Sequence, residues 1–165
     1  MFLIFLFYIA IAIDVNSNLV CYTGDIRDQK LVHQALWLAT VAHHGQKDKS
    51  GVAYIYHPMA VAEMMTTPEE KMVAFLHDVL EDTPVTVEDL VYAGFPGVVV
   101  DAVVAMTRLP SEGDAYYARV KANPLALEVK LADIAHNVGR IKNLTDPATR
   151  DRLTAKYAHA REMLV

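Results

Sequence analysis

At 165 residues the chain has room for one domain with a real core and not for two full ones. Its composition, 53% hydrophobic and 21% charged, is globular and slightly richer in apolar residues than average. The net charge of −5 speaks against DNA or another nucleic acid as partner, and the single cysteine, Cys21, excludes an internal disulfide and a cysteine-built zinc cluster. A metal would have to be held by His, Asp or Glu.

Residues 1–13, MFLIFLFYIAIAI, form an uninterrupted apolar run. It is shorter than the roughly 20 residues of a membrane-spanning helix. No Lys or Arg precedes it, and no clear small-x-small cleavage site follows it. Three readings stay open: a leader added by an early start codon, a buried or partner-binding segment, and a membrane anchor. Residues 14–27, with Asn16, Ser17, Asn18 and Gly24, read as a polar linker. The expected division is therefore a leader and linker over 1–27 and a folded domain over 28–165.

From Asp28 to His44 the pattern is helical, with Leu31, Ala35, Leu38 and Ala42 as one stripe and Val32, Leu36 and Ala39 beside it. Gly45 ends it, and a polar loop runs from Gln46 to Gly51. Tyr54-Ile55-Tyr56 reads as a short extended stretch. Pro58 suits the first turn of a helix running to about Thr66, which places His57 at its start. Thr67-Pro68-Glu69-Glu70 is a capping box that opens the helix carrying His77. Thr83-Pro84 stops that helix.

Thr86-Val87-Glu88-Asp89 starts a short helix ending at Gly94. Pro96 begins another, with Val99, Val100, Val103 and Val104 as its apolar side, although β-branching alone favours a strand. A loop over Ser111–Gly113 is followed by a short helix from Ala115 to Ala122. Asn123-Pro124 opens a long helix through Ile141, and Asp146-Pro147 opens a last one running almost to Val165. Strict period-two runs are nearly absent. The expected fold is all-α, a single bundle of about seven or eight helices around one core.

The most chemical stretch is Ala74 to Thr83. His77-Asp78 is followed one helical turn later by Glu81-Asp82. On a continuous helix Glu81 lies over His77 and Asp82 over Asp78, while Val73, Leu76 and Leu80 cover the opposite flank. Four titratable groups on one edge are expensive unless a cation or solvent compensates them. A solvated acidic helix end is the plain alternative.

Two further places matter. His57, before Pro58, is either a turn residue or a ligand. In the run Val129 to Asn137, Asp133 and Asn137 stand at i and i+4 on one face. An Asp inside an apolar helix is costly if buried alone. Pairing with Lys130 or Arg140 is its plain alternative.

Taken together, His57, His77, Asp78 and Asp133 supply two imidazoles and two carboxylates, a set that suits a divalent metal with open positions. Such an ion makes a nucleophile of water near neutral pH. Glu81 and Asp82 are then placed to orient or deprotonate that water. A phosphate ester or anhydride is the natural electrophile. Lys49, Lys130 and Arg140 are candidates to hold the remaining phosphate charge, or are surface charges. His43 and His44 compete for the first ligand position and are expected to serve structure, with His43 bonded to a backbone partner. His33 and His159 read as surface or packing residues. Tyr116 and Tyr117 stack on a base or pack, and packing is expected for one of them.

From about residue 31 to 144 the chain resembles the HD-domain phosphohydrolases, in their RelA/SpoT-like alarmone hydrolase branch. The matching runs are Ala42-His43-His44-Gly45-Gln46 with Asp48-Lys49-Ser50-Gly51, and Tyr54-Ile55-Tyr56-His57-Pro58. They continue with Phe75 through Thr83, Gly94-Phe95-Pro96, and Val129 through Asp133 with His136-Asn137. The resemblance implies an all-α HD bundle and one manganese ion, Mn2+, on His57, His77, Asp78 and Asp133. It implies that Glu81 and Asp82 act on the hydrolytic water. The implied reaction, part of the stringent response, removes the 3′-pyrophosphate of ppGpp or pppGpp to give GDP or GTP and pyrophosphate. Lys49, Asn137 and Arg140 match substrate-contacting positions. Nothing resembles the synthetase domain of the long members, so a stand-alone cytoplasmic hydrolase is implied. Membrane contact is expected only if residues 1–13 are retained, and the sequence does not set the oligomeric state.

The departures bear on the substrate. Asp48 stands where the long enzymes are basic, Ala53 replaces a usual Pro, and Ile134-Ala135 replaces a bulkier pair. They leave two rival readings: an HD-type nucleotide phosphatase with another substrate such as NADPH, and a non-catalytic nucleotide-binding sensor. Intact Glu81 and Asp82 argue against the sensor, which has no need of a water-handling pair.

Overall fold

A computed structural model describes residues 26–165. The expectations for residues 1–13, for the linker up to residue 25 and for Cys21 lie outside the described residues. Among the described residues there are nine helices and no strand, with one isolated antiparallel bridge between Lys47 and Ala53. The all-α expectation holds.

Local side-chain chemistry starts four of these helices. In α3 (Pro68–Leu76) the Thr67 hydroxyl accepts from the Glu70 amide at 3.2 Å, and the Glu70 carboxylate accepts from the Thr67 amide at 3.0 Å. Thr86 and Asp89 repeat this reciprocal pair at the start of α5 (Val87–Tyr92). Asn123 accepts from the Ala126 amide to open α8 (Pro124–Ile141), and Asp146 accepts from the Thr149 amide to open α9 (Pro147–Leu164). Each box or cap satisfies donors that an α-helix leaves without partners. Gly94, at φ +83°, turns the chain out of α5 through a conformation that side-chain-bearing residues avoid.

The centre of the bundle is α3. It packs against α1 (Ile26–Ala42), α2 (Tyr56–Glu63), α6 (Gly97–Met106) and α8. Met72, Val73, Ala74 and Leu76 are fully buried along it. In α6 the valines are helical despite their branching, because Val99, Val100 and Val103 bury their side chains in the core. Val104, expected on that apolar side, instead points outward and is 38% exposed. The remaining helix, α7 (Ala115–Ala122), has the expected bounds and packs against α6, α8 and α9.

Two expectations of local structure are corrected. Tyr54-Ile55-Tyr56 is not extended. The Lys47–Ala53 bridge closes the preceding loop, and turn bonds from the Tyr56 amide to Ala53 and from the His57 amide to Tyr54 pull the segment into α2. That helix begins at Tyr56 and ends at Glu63, not at Thr66. Nor is the helix carrying His77 continuous. α3 ends at Leu76, His77 and Asp78 form a turn, and α4 (Val79–Asp82) follows. Asp78 has φ −104° and ψ −1°, off the helical path, although the Asp82 amide still bonds its carbonyl at 2.9 Å. This break is why nine helices stand where seven or eight were expected.

Candidate functional site

The break between α3 and α4 delivers two adjacent side chains to one point. His77 closes α3 and is 1% exposed, and Asp78 follows in the turn. His57, buried in the first turn of α2, and Asp133, buried midway along α8, reach the same point. His77 Nε2 lies 2.9 Å from Asp78 Oδ2 and 3.9 Å from Asp133 Oδ1. His57 Nε2 lies 3.0 Å from Asp133 Oδ1 and 3.8 Å from Asp78 Oδ2. Ligand atoms of His57, His77 and Asp133 all fall within 4.8 Å of one another, a group that can hold a metal ion.

The protonation pattern fits a cation there. His77 Nδ1–H donates to the Ala74 carbonyl at 2.8 Å, which turns Nε2 toward the carboxylates. That Nε2 is buried and has no hydrogen bond. Burial works against a charge on His77, yet Asp78 and Asp133 outweigh it and lift the imidazole to about 9. Burial likewise opposes charge on the two carboxylates. His77 holds Asp78 well below the usual range, and Lys130 with His57 and His77 does the same for Asp133. Positive charge is therefore wanted between these groups, and a divalent ion with nitrogen and oxygen ligands supplies it.

Neighbouring groups orient the cluster. Lys130 Nζ donates to Asp133 Oδ2 at 2.7 Å, and Asn137 Nδ2 donates to Asp133 Oδ1 at 2.6 Å. The Tyr54 hydroxyl donates to Asp78. His57 Nδ1 meets His136 Nδ1 at 2.8 Å with the rings stacked, so one ring donates and the other accepts. Such contacts fix the rings and raise the basicity of the ligating atoms.

Glu81 and Asp82 stand on the wall of the same cavity, which encloses about 410 Å³. Glu81 Oε2 accepts from the Arg108 amide at 2.8 Å. Burial, with Asp78 and Glu81 nearby, raises the Asp82 carboxyl above its ordinary value. Asp82 is also held through its backbone: Gln46 Nε2 donates to the Asp82 carbonyl at 2.9 Å, and Gln46 Oε1 bonds His43 Nδ1 at 2.8 Å. His43 therefore serves structure as expected, but through the Gln46 side chain and not a backbone partner.

Lys49, Asn137 and Arg140 line the cavity too. Arg140 is paired with Asp48, the residue that departs from the basic pattern, and Lys130 is paired with Asp133. Of the three expected cations, Lys49 makes no ion pair among the described residues. His44 and His33 are exposed, and His159 lies 3.0 Å from Asp114. Tyr116 and Tyr117 are both buried, so packing accounts for each, while both still border the cavity.

Several lining residues escaped the sequence reading: Tyr54, His136, Arg108, Lys156 and Tyr157. His136 had a usable signal, since it stands three residues after Asp133 on the same helix. Arg108 and Lys156 had none, because the α6–α7 loop and α9 carry no motif.

No protein-family model matches the chain. A 65-residue stretch is 49% identical to the bifunctional (p)ppGpp synthase/hydrolase SpoT of Escherichia coli, covering 37% of this chain and 9% of that protein. Over 144 residues the chain is 31% identical to a guanosine-3′,5′-bis(diphosphate) 3′-pyrophosphohydrolase of Spiroplasma citri, covering 78% of this chain and 19% of that protein. Over 127 residues it is 36% identical to a GTP pyrophosphokinase of Streptomyces coelicolor, covering 68% of this chain and 15% of that one. The chain thus spans a small part of the length of these curated relatives. Among solved structures it superposes on a metazoan ortholog of SpoT that hydrolyzes ppGpp, with a TM-score of 0.70 and 24% identity. That match covers 81% of this chain and 85% of the other, and it shows the shared fold. In its matched stretches the chain is similar to SpoT-like (p)ppGpp pyrophosphohydrolases, and its bundle shares the fold of the metazoan ortholog.

Proposed function

We propose that this domain hydrolyses the 3′-pyrophosphate of ppGpp or pppGpp, giving GDP or GTP and pyrophosphate, with Mn2+ held by His57, His77, Asp78 and Asp133. The observation that carries this reading is the buried His77 Nε2, without a hydrogen bond, among two carboxylates and a second imidazole at the wall of a cation-lined cavity. A divalent ion in that cluster lowers the pKa of water and polarises a phosphoryl oxygen.

The chain's own residues do the rest. Asp82, with its raised pKa, takes the proton from the attacking water. Glu81, held by the Arg108 amide, fixes the direction of approach. Water attacks the phosphorus next to the ribose 3′ oxygen, the bond from phosphorus to that oxygen breaks, and the proton passes to the 3′ oxygen. Lys49, with Asn137, holds the departing pyrophosphate, and Arg140 joins them by exchanging its Asp48 partner for phosphate. The Asp48–Arg140 pair leaves one cation fewer for phosphate, and it favours a second reading in which another nucleotide, such as NADPH, is dephosphorylated.

The test is a product assay on manganese-loaded protein with ppGpp, an EDTA control and a parallel tube of NADPH. GDP and pyrophosphate, abolished by EDTA, are the expected result. Phosphate from NADPH with ppGpp untouched replaces the first reading by the second. Silence in both tubes removes hydrolysis and leaves nucleotide binding.

A further inference from the structure

Asp82, which takes the proton of the attacking water in the reaction proposed above, stands at the end of a helix too short to hold it alone. α4 has four residues, and a helix of that length is marginal by itself. The Asp82 amide bonds the Asp78 carbonyl at 2.9 Å, and the Thr83 hydroxyl donates to the Val79 carbonyl at 2.7 Å. The Asp82 carbonyl lies at the C-terminal end, where a helix offers no donor of its own. Its partner comes from 36 positions away, where Gln46 Nε2 donates to it at 2.9 Å.

This bond orients the Gln46 amide group, and that group orients its neighbour. A carbonyl only accepts, so the NH2 side of Gln46 faces Asp82 and Oε1 faces His43. Oε1 only accepts as well, so His43 carries a proton on Nδ1 and donates it at 2.8 Å. The chain of bonds therefore has one direction, from His43 through Gln46 to Asp82.

Its far end is anchored. His43 is buried, and its amide extends the ladder of α1 by bonding the Ala39 carbonyl at 3.0 Å. Gly45, at φ +80°, turns the chain back in a conformation that suits glycine. The Gln46 amide then reaches the His43 carbonyl at 3.0 Å, and the Gln46 carbonyl accepts from the Tyr54 amide at 3.0 Å. The His43 ring packs on Tyr54 with centroids 4.9 Å apart. His43 Nε2 is buried without a hydrogen bond, a cost that a ring kept only for packing would not carry. What the imidazole adds over an apolar ring is the Nδ1–H on Gln46. Neither His43 nor Gln46 lines the cavity, so neither meets the substrate.

We propose that His43 and Gln46 are positioning residues for the hydrolysis: from the turn after α1 they hold the end of α4 and so aim the Asp82 carboxylate at the water. The inference rests on the role given to Asp82 above.

The experiment compares manganese-loaded wild type with Gln46→Leu, His43→Phe, His43→Asn and the double variant of Gln46→Leu with His43→Phe. The readouts are kcat and KM for ppGpp, bound manganese, and exchange of the Asp82 amide by NMR. Gln46→Leu should lower kcat about tenfold, the loss of one hydrogen bond, with KM and bound manganese unchanged. Its Asp82 amide should exchange about tenfold faster while the α3 amides keep their wild-type rates. His43→Phe should lower kcat in the same direction, and thermal unfolding checks that the packing on Tyr54 survived. His43→Asn should recover most of that loss, because its Nδ2–H takes the place of Nδ1–H. In the double variant kcat should match that of Gln46→Leu alone, since both residues act along one chain of bonds. An unchanged kcat in Gln46→Leu, or additive losses in the double variant, overturns the proposal. So does a loss that falls on KM or bound manganese while Asp82 exchange stays at the wild-type rate. If wild type leaves ppGpp intact, the proposed reaction fails, and exchange alone decides the positioning. Faster exchange confined to α4 in Gln46→Leu then supports it, and unchanged exchange overturns it.

Discussion

Asp133 shows how one residue keeps charge inside an apolar helix. Its two oxygens take bonds from Lys130 and Asn137 and face His57, so no part of the carboxylate is left alone. Substituting it by Asn removes the negative charge that Lys130 and the imidazoles share. Asp133→Asn should cost about 3–5 kcal/mol in urea unfolding of the metal-free protein, because Lys130 is left without its partner. His57→Ala should lose the metal, and a variant that still holds a full equivalent of manganese by elemental analysis would remove His57 from the ligand set. Glu81→Gln and Asp82→Asn belong to another class. Each should keep the metal and lose about 10²-fold or more in kcat. Unchanged rates would end the role given to that pair.

At the scale of the element, the reciprocal caps set where helices begin. Thr67→Ala should destabilise the domain by about 1 kcal/mol, measured by urea unfolding at neutral pH. Glu70, its partner, is held below the ordinary value of 4.5 chiefly by the Thr67 amide, with burial opposing and the Thr66 amide assisting. A carboxylate lowered in the folded state stabilises fully above its unfolded value and loses that contribution as pH falls through its folded value. Glu70→Gln should therefore flatten the acid side of the stability profile, and an identical slope below about pH 4.5 would show that the box carries no ionic contribution. These starts were legible in the sequence because a cap joins residues three apart. The turn at His77-Asp78 was not. Nothing local forbids a helix there, and the turn accompanies contacts of Asp78 with Tyr54, His57 and His77.

At the scale of the molecule, α3 is the element on which the site depends, since it touches α1, α2, α6 and α8 and carries His77 at its end. Met72→Ala, in its fully buried face, should lower stability by about 2–5 kcal/mol. That is a large share of the roughly 5–15 kcal/mol of an ordinary domain. An unchanged denaturation midpoint would show that the bundle does not lean on α3.

The sequence by itself determined the helical class, most helix starts and the residue types of the site, because periodicity, caps and donor chemistry are local or compositional. It also identified His57, His77, Asp78 and Asp133 as one set, through their pattern along the chain. Only the tertiary structure decided how those groups are bonded. His57 meets His136 across 79 positions, and Arg140 meets Asp48 across 92. Arg108 and Lys156 reach the cavity by the packing of a loop and a last helix that no motif marks. Such contacts follow from how nonadjacent helices fill the same core, and no short-range pattern encodes that.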